Sequence, residues 1–474
     1  MPSLPVSRLL SSGKLAPSNY KDASIGRQRL KPLSSFLEAG TPFDRGVEPG
    51  SGAYNPAGKF RFLRNSCVDD NNISEQADKL ERLALLPTGC SPLVRYDVLL
   101  CKDANIGEAA LFMGTDQHPT VFSSGVVRLR FADEADRLFC LAFIRTDFFK
   151  EQLNALTPRG STIRHAGRLF LDCLIPELRP DELWIRDAVA AAIRNVAHAE
   201  LLCEEKLAEA VSVFDKDYEK YAFSYVNPRA SSLSKQGRLD AGFYSEVVEK
   251  IETWVEQQPG GCASIKQFGF NIKRGPNLQK RDMGRSIQRT TLRPGYHTLV
   301  YPSSISDHGY IEEIVYLGAR ALVWHIKPGS VLFSAEGTVG KTFCVCDDAI
   351  SFITNIHGLI FQPESDELPP ERSAFLCLYF HYLRRKGYFD KISVGGQGGS
   401  LALRYWDKVK VPVFDEEKMK QIASKYDADV GELDPAAFDL AQLRRAGVYQ
   451  LNTFRMRCLS YIEELVSKVL EDDA

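Results

Sequence analysis

Residues 181–226, DELWIRDAVAAAIRNVAHAELLCEEKLAEAVSVFDKDYEKYAFSYV, contain neither glycine nor proline, the two residues least compatible with a helix interior. Apolar or small residues recur at Ile185, Val189, Ala192, Val196, Ala199, Cys203, Leu207, Val211, Phe214 and Tyr218. Every step is three or four, the period of one helix face. Asp181 and Glu182 open the stretch, where the helix dipole favours negative charge. At about 1.5 Å per residue, a helix of some 40 residues spans about 60 Å. Ordinary globular helices run about 8 to 20 residues, so the spacing predicts a spacer between two lobes. Two shorter core helices joined by a bend are the alternative.

The segments before and after this helix resemble each other. Val98 opens VLLCKDANIGEAALF and Val331 opens VLFSAEGTVGKTFCV, each an apolar strand, a polar turn, one glycine and a second strand. Gly107 and Gly340 are 233 positions apart. SSGVVRLRF, ending at Phe131, then matches NIHGLIF, ending at Phe361. Each half continues with an aromatic amphipathic helix, DRLFCLAFIRTDFFKEQL at 136–153 and ERSAFLCLYFHYLRRKGYF at 371–389. A polar, glycine-bearing loop follows, TPRGSTIRHAG at 157–167 and SVGGQGGSLALRYW at 393–406. Each half closes on a short strand with a proline, Pro176 and Pro412. Upstream, FLEAGTPFDRG and FNIKRGPNLQKRD align with Gly40 on Gly275. Features in one order at offsets of 233 to 236, with only Phe131 and Phe361 at 230, indicate a duplicated domain. Solenoid repeats, by contrast, are about 20 to 50 residues long.

A second helix follows the second copy. It starts at MKQIASKY, is interrupted by Gly431 and Pro435, and resumes with a stripe of Leu440, Leu443, Leu451, Phe454, Cys458, Ile462, Leu465 and Val469. Two long helices of this kind commonly pack as an antiparallel pair.

In this arrangement the sequence resembles the specificity subunit of type I restriction-modification systems. The residues that carry the resemblance are the turn-and-strand units around Gly107 and Gly340, the aromatic helices, the loops TPRGSTIRHAG and SVGGQGGSLALRYW, and the proline closures, over residues 25–472. The resemblance implies an α/β (α+β) chain with two target recognition domains, each reading half of a split DNA sequence. The helices would form an antiparallel coiled-coil spacer that docks modification subunits. It divides the chain into an N-terminal segment (1–24), a first recognition domain (25–180), a first spacer helix (181–226), a second recognition domain (227–413) and a second spacer helix (414–474). The implied partners are double-stranded DNA, adenine methyltransferase subunits using S-adenosylmethionine, and an ATP-driven translocase-nuclease subunit. A methylation-only complex is the alternative. This chain would be non-catalytic and hold none of S-adenosylmethionine, ATP or Mg²⁺. Two departures bear on docking: a glutamine often found after the closing proline is displaced to Gln421, and Asp427 to Pro435 is an insertion.

Net charge is −2, which alone does not suggest nucleic acid, but its distribution is uneven. Residues 271–293 carry Lys273, Arg274, Lys280, Arg281, Arg285, Arg289 and Arg293 against Asp282 alone. Residues 1–31 carry six basic groups against Asp22, whereas residues 181–222 carry ten acids against five bases. A basic patch beside an acidic helix suits two partners, one polyanionic and one protein. Eleven cysteines, scattered and several in apolar runs, suggest reduced thiols and a cytoplasmic protein. No apolar run reaches the roughly 18 residues of a membrane span, and no secretory signal is evident.

AEGTVGKT at 335–342 fits a relaxed P-loop, but the next residues read as strand where phosphate binding needs a helix N-terminus. A P-loop enzyme is therefore the second function class. No NPP(F/Y) tetrapeptide, acid–base pair, triad or metal cluster is evident, and Asp181, Glu204 and Lys206 lie along one helix rather than converging from strands as in a nuclease. The better candidates are loop donors: Arg159, Ser161, Thr162, Arg164 and His165 in the first copy, and Gln397, Ser400, Arg404 and Tyr405 in the second. Arginine and glutamine can bond bidentately to purine edges. Lys273, Arg274, Lys280, Arg281 and Arg285 form an evenly strewn set suited to phosphates. His381, on an apolar helix, reads as a structural histidine.

Overall fold

The computed structural model describes residues 29–471 except 75–79, 116–117, 159–163, 230, 232–236, 279–285, 291, 320–323 and 396–398. The chain forms two compact units. The first comprises residues up to Ala197 with Asp434–Phe438 and Tyr461 onward; the second comprises His198–Leu433 and Asp439–Ser460.

The first unit carries strands β1 (Leu30–Pro32), β2 (Phe43–Arg45), β3 (Phe60–Leu63), β4 (Asn72–Ile73), β5 (Glu81–Leu83), β6 (Val98–Cys101), β7 (Ala109–Phe112), β8 (Thr120–Phe122) and β9 (Val126–Leu129). Helices α1 (Glu134–Ile144) and α2 (Asp147–Leu156) follow, then β10 (Leu174–Pro176) and the start of α3 (Leu183–Tyr218). The main sheet has the order β2-β9-β6-β7-β4, and a smaller one the order β5-β3-β8. Every residue of β6, β7 and β9 is buried, which explains their continuous apolar runs. Successive side chains go to opposite faces. Val98, Leu100, Ala109, Leu111, Val127 and Leu129 pack toward α1, α2 and α3. Leu99, Cys101, Ala110, Phe112 and Val126 pack toward Leu63, Ile73 and Phe122. The single helix expected at 136–153 is two, because Thr146 caps a new start: the Phe149 N–H donates to Thr146 Oγ1 at 3.5 Å.

The second unit carries α4 (Glu246–Glu256), β11 (Cys262–Ser264), β12 (Phe270–Arg274), β13 (Ser286–Arg289), β14 (His297–Val300), β15 (Val315–Ala319), β16 (Val331–Ser334), β17 (Thr342–Cys344), β18 (Phe352–Thr354) and β19 (Gly358–Pro363). Helices α5 (Pro370–Arg385) and α6 (Tyr388–Ile392), strand β20 (Lys410–Pro412), and helices α7 (Glu416–Ala423), α8 (Leu440–Arg445) and α9 (Val448–Glu471) complete the chain. Its sheets, β12-β19-β16-β17 and β13-β15-β14-β18, repeat the order of the first unit with β13 added at an edge and, among the described residues, no counterpart of β4.

The strands that the two copies share pair in the same way. Val98 pairs with Leu129 and Leu111, as Val331 pairs with Phe361 and Cys344. β3 runs parallel to β8, as β14 does to β18. β1 pairs antiparallel with β10 and β11 with β20, so the two ends of each copy are tied together. The register corrects two alignments, the first being that Phe361 takes the place of Leu129, not Phe131. Arg45 lies opposite Val127 and Arg274 opposite Leu359, so the partner of Gly275 is Gly46, not Gly40. A Cβ on Gly46 would stand 2.0 Å from the Ser123 carbonyl oxygen; one on Gly275 would stand 2.0 Å from that of Asn355.

α3 matches the expected helix but ends at Tyr218, not Val226. Its last turn is fixed in the second unit, where Asp217 accepts from Trp254 Nε1 at 2.9 Å and from Gln258 at 2.8 Å. Phe214 stacks on Tyr382 with ring centroids 5.0 Å apart. Beyond it, Tyr221, Phe223 and Tyr225 are half-buried and the residues between them exposed, the two-residue period of extended chain. All ten stripe residues of α3 are buried. So are Ala188, Ala190, Ala191 and Ala197 around the rest of its circumference, so this part of the helix is core. In the second unit α3 and α9 run antiparallel: Glu200 meets Arg455, and Cys203 meets Val448.

The second helix is more broken than its periodicity predicts. After the expected interruption, α8 stops at Arg445 and α9 starts at Val448. Gly447 lies against the Tyr426 carbonyl, 2.5 Å from where a Cβ would be, and the Tyr449 N–H donates to that carbonyl at 2.8 Å.

One carboxyl in this unit is tuned by burial. Desolvation, then the neighbouring Glu256 charge, raises Glu252 on α4 from its ordinary value to about 7, while Tyr388 donates to it at 3.4 Å. A carboxyl raised in the folded state stabilises below its unfolded value, and that contribution is lost as pH rises through about 7. The expected result is a second unit that weakens between about pH 4.5 and 7. Glu252→Gln should flatten that slope in urea titrations; an unchanged slope would reject the assignment.

Candidate nucleic-acid interface

Each copy has one face where four pieces of backbone meet: the turn after β6 or β16, the loop after the aromatic helices, the entry to β9 or β19, and the end of β2 or β12. The turns superimpose in hydrogen bonds. The Gly107 N–H donates to Cys101 O and the Gly340 N–H to Ser334 O, both at 3.0 Å. Both glycines have φ of 93°, which an L side chain rarely adopts. The turn then holds the loop. Ala104 N–H donates to Arg164 O at 3.1 Å, and Gly337 N–H to Gly399 O at 3.2 Å. In return, Ala166 N–H donates to Lys102 O at 2.7 Å, and Leu401 N–H to Ala335 O at 2.9 Å.

AEGTVGKT is therefore a hairpin turn between antiparallel β16 and β17, not a P-loop, since no helix N-terminus follows to face a phosphate. Lys341 is buried rather than displayed.

On this frame the side chains differ between copies. In the first, Arg164 is taken up by structure: Nη1 donates to Asn154 Oδ1 at 2.7 Å, and Nη2 to the Asn154 and Thr157 carbonyls at 3.0 and 3.4 Å. It anchors the loop to the end of α2. His165 is exposed, with Nδ1 2.8 Å from Asp103 Oδ1. Lys102 reaches the other Asp103 oxygen at 2.6 Å. Asp103 also lines a cavity of about 400 Å³ with Tyr54, Arg64, Asn65, Ser124 and Gly125.

In the second copy, Lys273 donates to Gln362 at 2.9 Å. Arg274 donates to Glu336 Oε1 at 2.8 Å and to Ile356 O at 3.2 Å. His357 Nδ1 lies 2.7 Å from Glu336 Oε2. Arg274, then His357, hold the Glu336 carboxyl below its ordinary range. Ser400 bridges Glu336 and Val394 through its backbone. Arg404 and Tyr405 lie on the turn Leu403–Lys408, where Arg404 donates to Tyr405 Oη at 2.8 Å and Arg238 stacks 4.6 Å from the Tyr405 ring. Arg159, Ser161, Thr162, Lys280, Arg281, Arg285 and Gln397 lie outside the described residues. His381 is half-buried on α5, where burial and then Arg385 lower it to about 3, so it stays neutral as a structural histidine does.

Asp103, Glu336 and His357 escaped the sequence reading. A signal was there: the duplication places Asp103 and Glu336 233 positions apart, the same offset as Gly107 and Gly340.

No helix among the described residues is long and apolar enough to cross a membrane. No family model matches the chain, and no curated protein matches it. Among solved structures, a type I restriction-modification S subunit from M. genitalium is 14% identical over 97% of this chain and 100% of that one, with a TM-score of 0.43. An HsdS subunit from Thermoanaerobacter tengcongensis is 17% identical over 94% of this chain and 97% of that one, with a TM-score of 0.29. At these scores the likeness adds nothing to what the duplicated frame itself supports.

Proposed function

We propose that this chain is the DNA sequence-specificity subunit of a type I restriction-modification complex, each copy reading one half of a bipartite target. The observation that carries this reading is one hydrogen-bonded frame built twice with different polar side chains on it. That is what reading two different half-sites with one architecture requires. Lys102, Asp103, Ser124, Gly125 and His165 stand at the positions of Ala335, Glu336, Ile356, His357 and Ser400. In this reading the basic run from Lys273 to Arg293 holds phosphates and the loop faces meet base edges. The chain is non-catalytic. Adenine methyltransferase subunits supply S-adenosylmethionine chemistry, and a translocase-nuclease subunit supplies ATP- and Mg²⁺-dependent cleavage.

The test is selection from a random double-stranded DNA pool with the full-length protein, paired with methylation sequencing of the host with and without the gene. A split motif enriched in the first and lost in the second supports the proposal; enrichment of nothing defeats it. Within that assay, Arg285→Ala should weaken binding to all DNA alike and lower the salt slope by about one. Arg404→Ala should cost about 1–3 kcal/mol on the selected site only. Equal loss on selected and random DNA would move Arg404 to the phosphate-binding set.

A further inference from the structure

The turn carboxylates occupy one position of the duplicated frame. Asp103 and Glu336 both follow the strand that ends at Cys101 or Ser334, and each is bridged by backbone to the loop, at His165 or Ser400. Each carboxylate holds an imidazole by Nδ1, at 2.8 Å in the first copy and 2.7 Å in the second. The two histidines do not come from equivalent positions. His165 comes from the loop, where the second copy has Ser400. His357 comes from the entry to β19, where the first copy has Gly125. The same pair is thus assembled twice from different parts of the chain.

Stability does not account for it. Exposed ion pairs contribute about 0–1 kcal/mol, and these rings are 63% and 57% exposed. What the pairing does accomplish is orientation. A ring held at Nδ1 by a carboxylate has its plane fixed and Nε2 turned away from that carboxylate. Nε2 accepts a hydrogen bond when the ring is neutral and donates one when it is charged. A cation beside each carboxylate, Lys102 or Arg274, offsets its charge against a polyanion.

We propose that His165 and His357 are equivalent DNA contacts, one per copy, each presenting Nε2 to a hydrogen-bonding atom of the duplex, with Asp103 and Glu336 as their positioning residues. This rests on the DNA-specificity reading above. The shared chemistry is a polar DNA atom within reach of an imidazole: a base edge in the major groove or a phosphate oxygen.

The experiment is random-pool selection and affinity measurement with full-length wild type, His165→Ala, Asp103→Asn, His357→Ala and Glu336→Gln, each checked for an unchanged melting temperature. His165→Ala and Asp103→Asn should each lower affinity roughly ten-fold and affect one half of the selected motif. His357→Ala and Glu336→Gln should do the same in the other half. Relaxation at a single base assigns the contact to a base edge. A loss equal on all sequences, with a smaller salt slope, assigns it to a phosphate. Both support the proposal. Histidine variants with wild-type affinity and motif overturn it while leaving the specificity function standing. A wild type that selects no motif overturns the function, and this inference with it. A carboxylate variant that matches its histidine variant in motif as well as affinity marks positioning, which a purely structural role would not reproduce.

Discussion

Alanine at Gly275 is expected to cost the second unit on the order of 3 kcal/mol, and alanine at Gly46 a similar amount in the first. Neither glycine is needed for a left-handed φ; both are needed for space. The obstructing atoms are the backbone carbonyl oxygens of Asn355 and Ser123, each 2.0 Å from the added Cβ. A side-chain neighbour could rotate away, but a carbonyl moves only with its strand. The strands β2 and β12 that end at these glycines would have to leave β9 and β19. Thermal melts resolved by hydrogen exchange should lose protection in β12 for Gly275→Ala and in β2 for Gly46→Ala. Gly52→Ala, with nothing within 4 Å of its Cβ, is the control and should stay within about 0.5 kcal/mol of wild type. Wild-type melting of both variants would show that the register is misassigned.

The second large effect lies where α3 and α9 meet in the second unit. Arg455, 7% exposed, donates through Nε to Glu200 Oε1 at 2.5 Å and through Nη1 to the Ile311 carbonyl at 2.8 Å, with its guanidinium 4.9 Å from the Tyr310 ring. Arg455→Met takes the guanidinium away from the buried Glu200 carboxylate and should cost about 3–5 kcal/mol. Adding Glu200→Met removes the buried negative charge as well and should recover much of that loss. Urea unfolding of both variants decides it. A double variant no better than the single one would mean that the arginine's packing, not its charge, is what the core needs.

The duplication was legible because its landmarks are residues with single physical reasons. Gly107 and Gly340 supply the same φ, and Pro176 and Pro412 end the same closing strand. Where a landmark had several plausible partners, the sequence misled. Gly40 lies 235 positions before Gly275, in step with the other landmarks, but only hydrogen-bond register identifies Gly46 as the match. Periodicity found α3 and all its buried stripe, yet it overran the C-terminus, because YAFSYV is as apolar as the helix and differs only in repeating every second residue. The break at Gly447 depends on a close approach to Tyr426 that no local pattern encodes. The loop candidates were chosen as donors without nearby acids. The fold supplies an acid from 62 residues away for His165, and one 62 away for the phosphate candidate Arg274, which is why Asp103 and Glu336 were overlooked; Arg164 became a loop anchor through Asn154 and the Thr157 carbonyl instead.

The pairing of β1 with β10, and of β11 with β20, puts the entry and exit of each copy on neighbouring strands. A polypeptide whose two ends leave side by side is a cassette: it can be excised and replaced by another of the same frame without rerouting the chain on either side. On the function proposed above, one recombination event rewrites half of a target, while the other half, and the helices that follow each copy, are inherited unchanged.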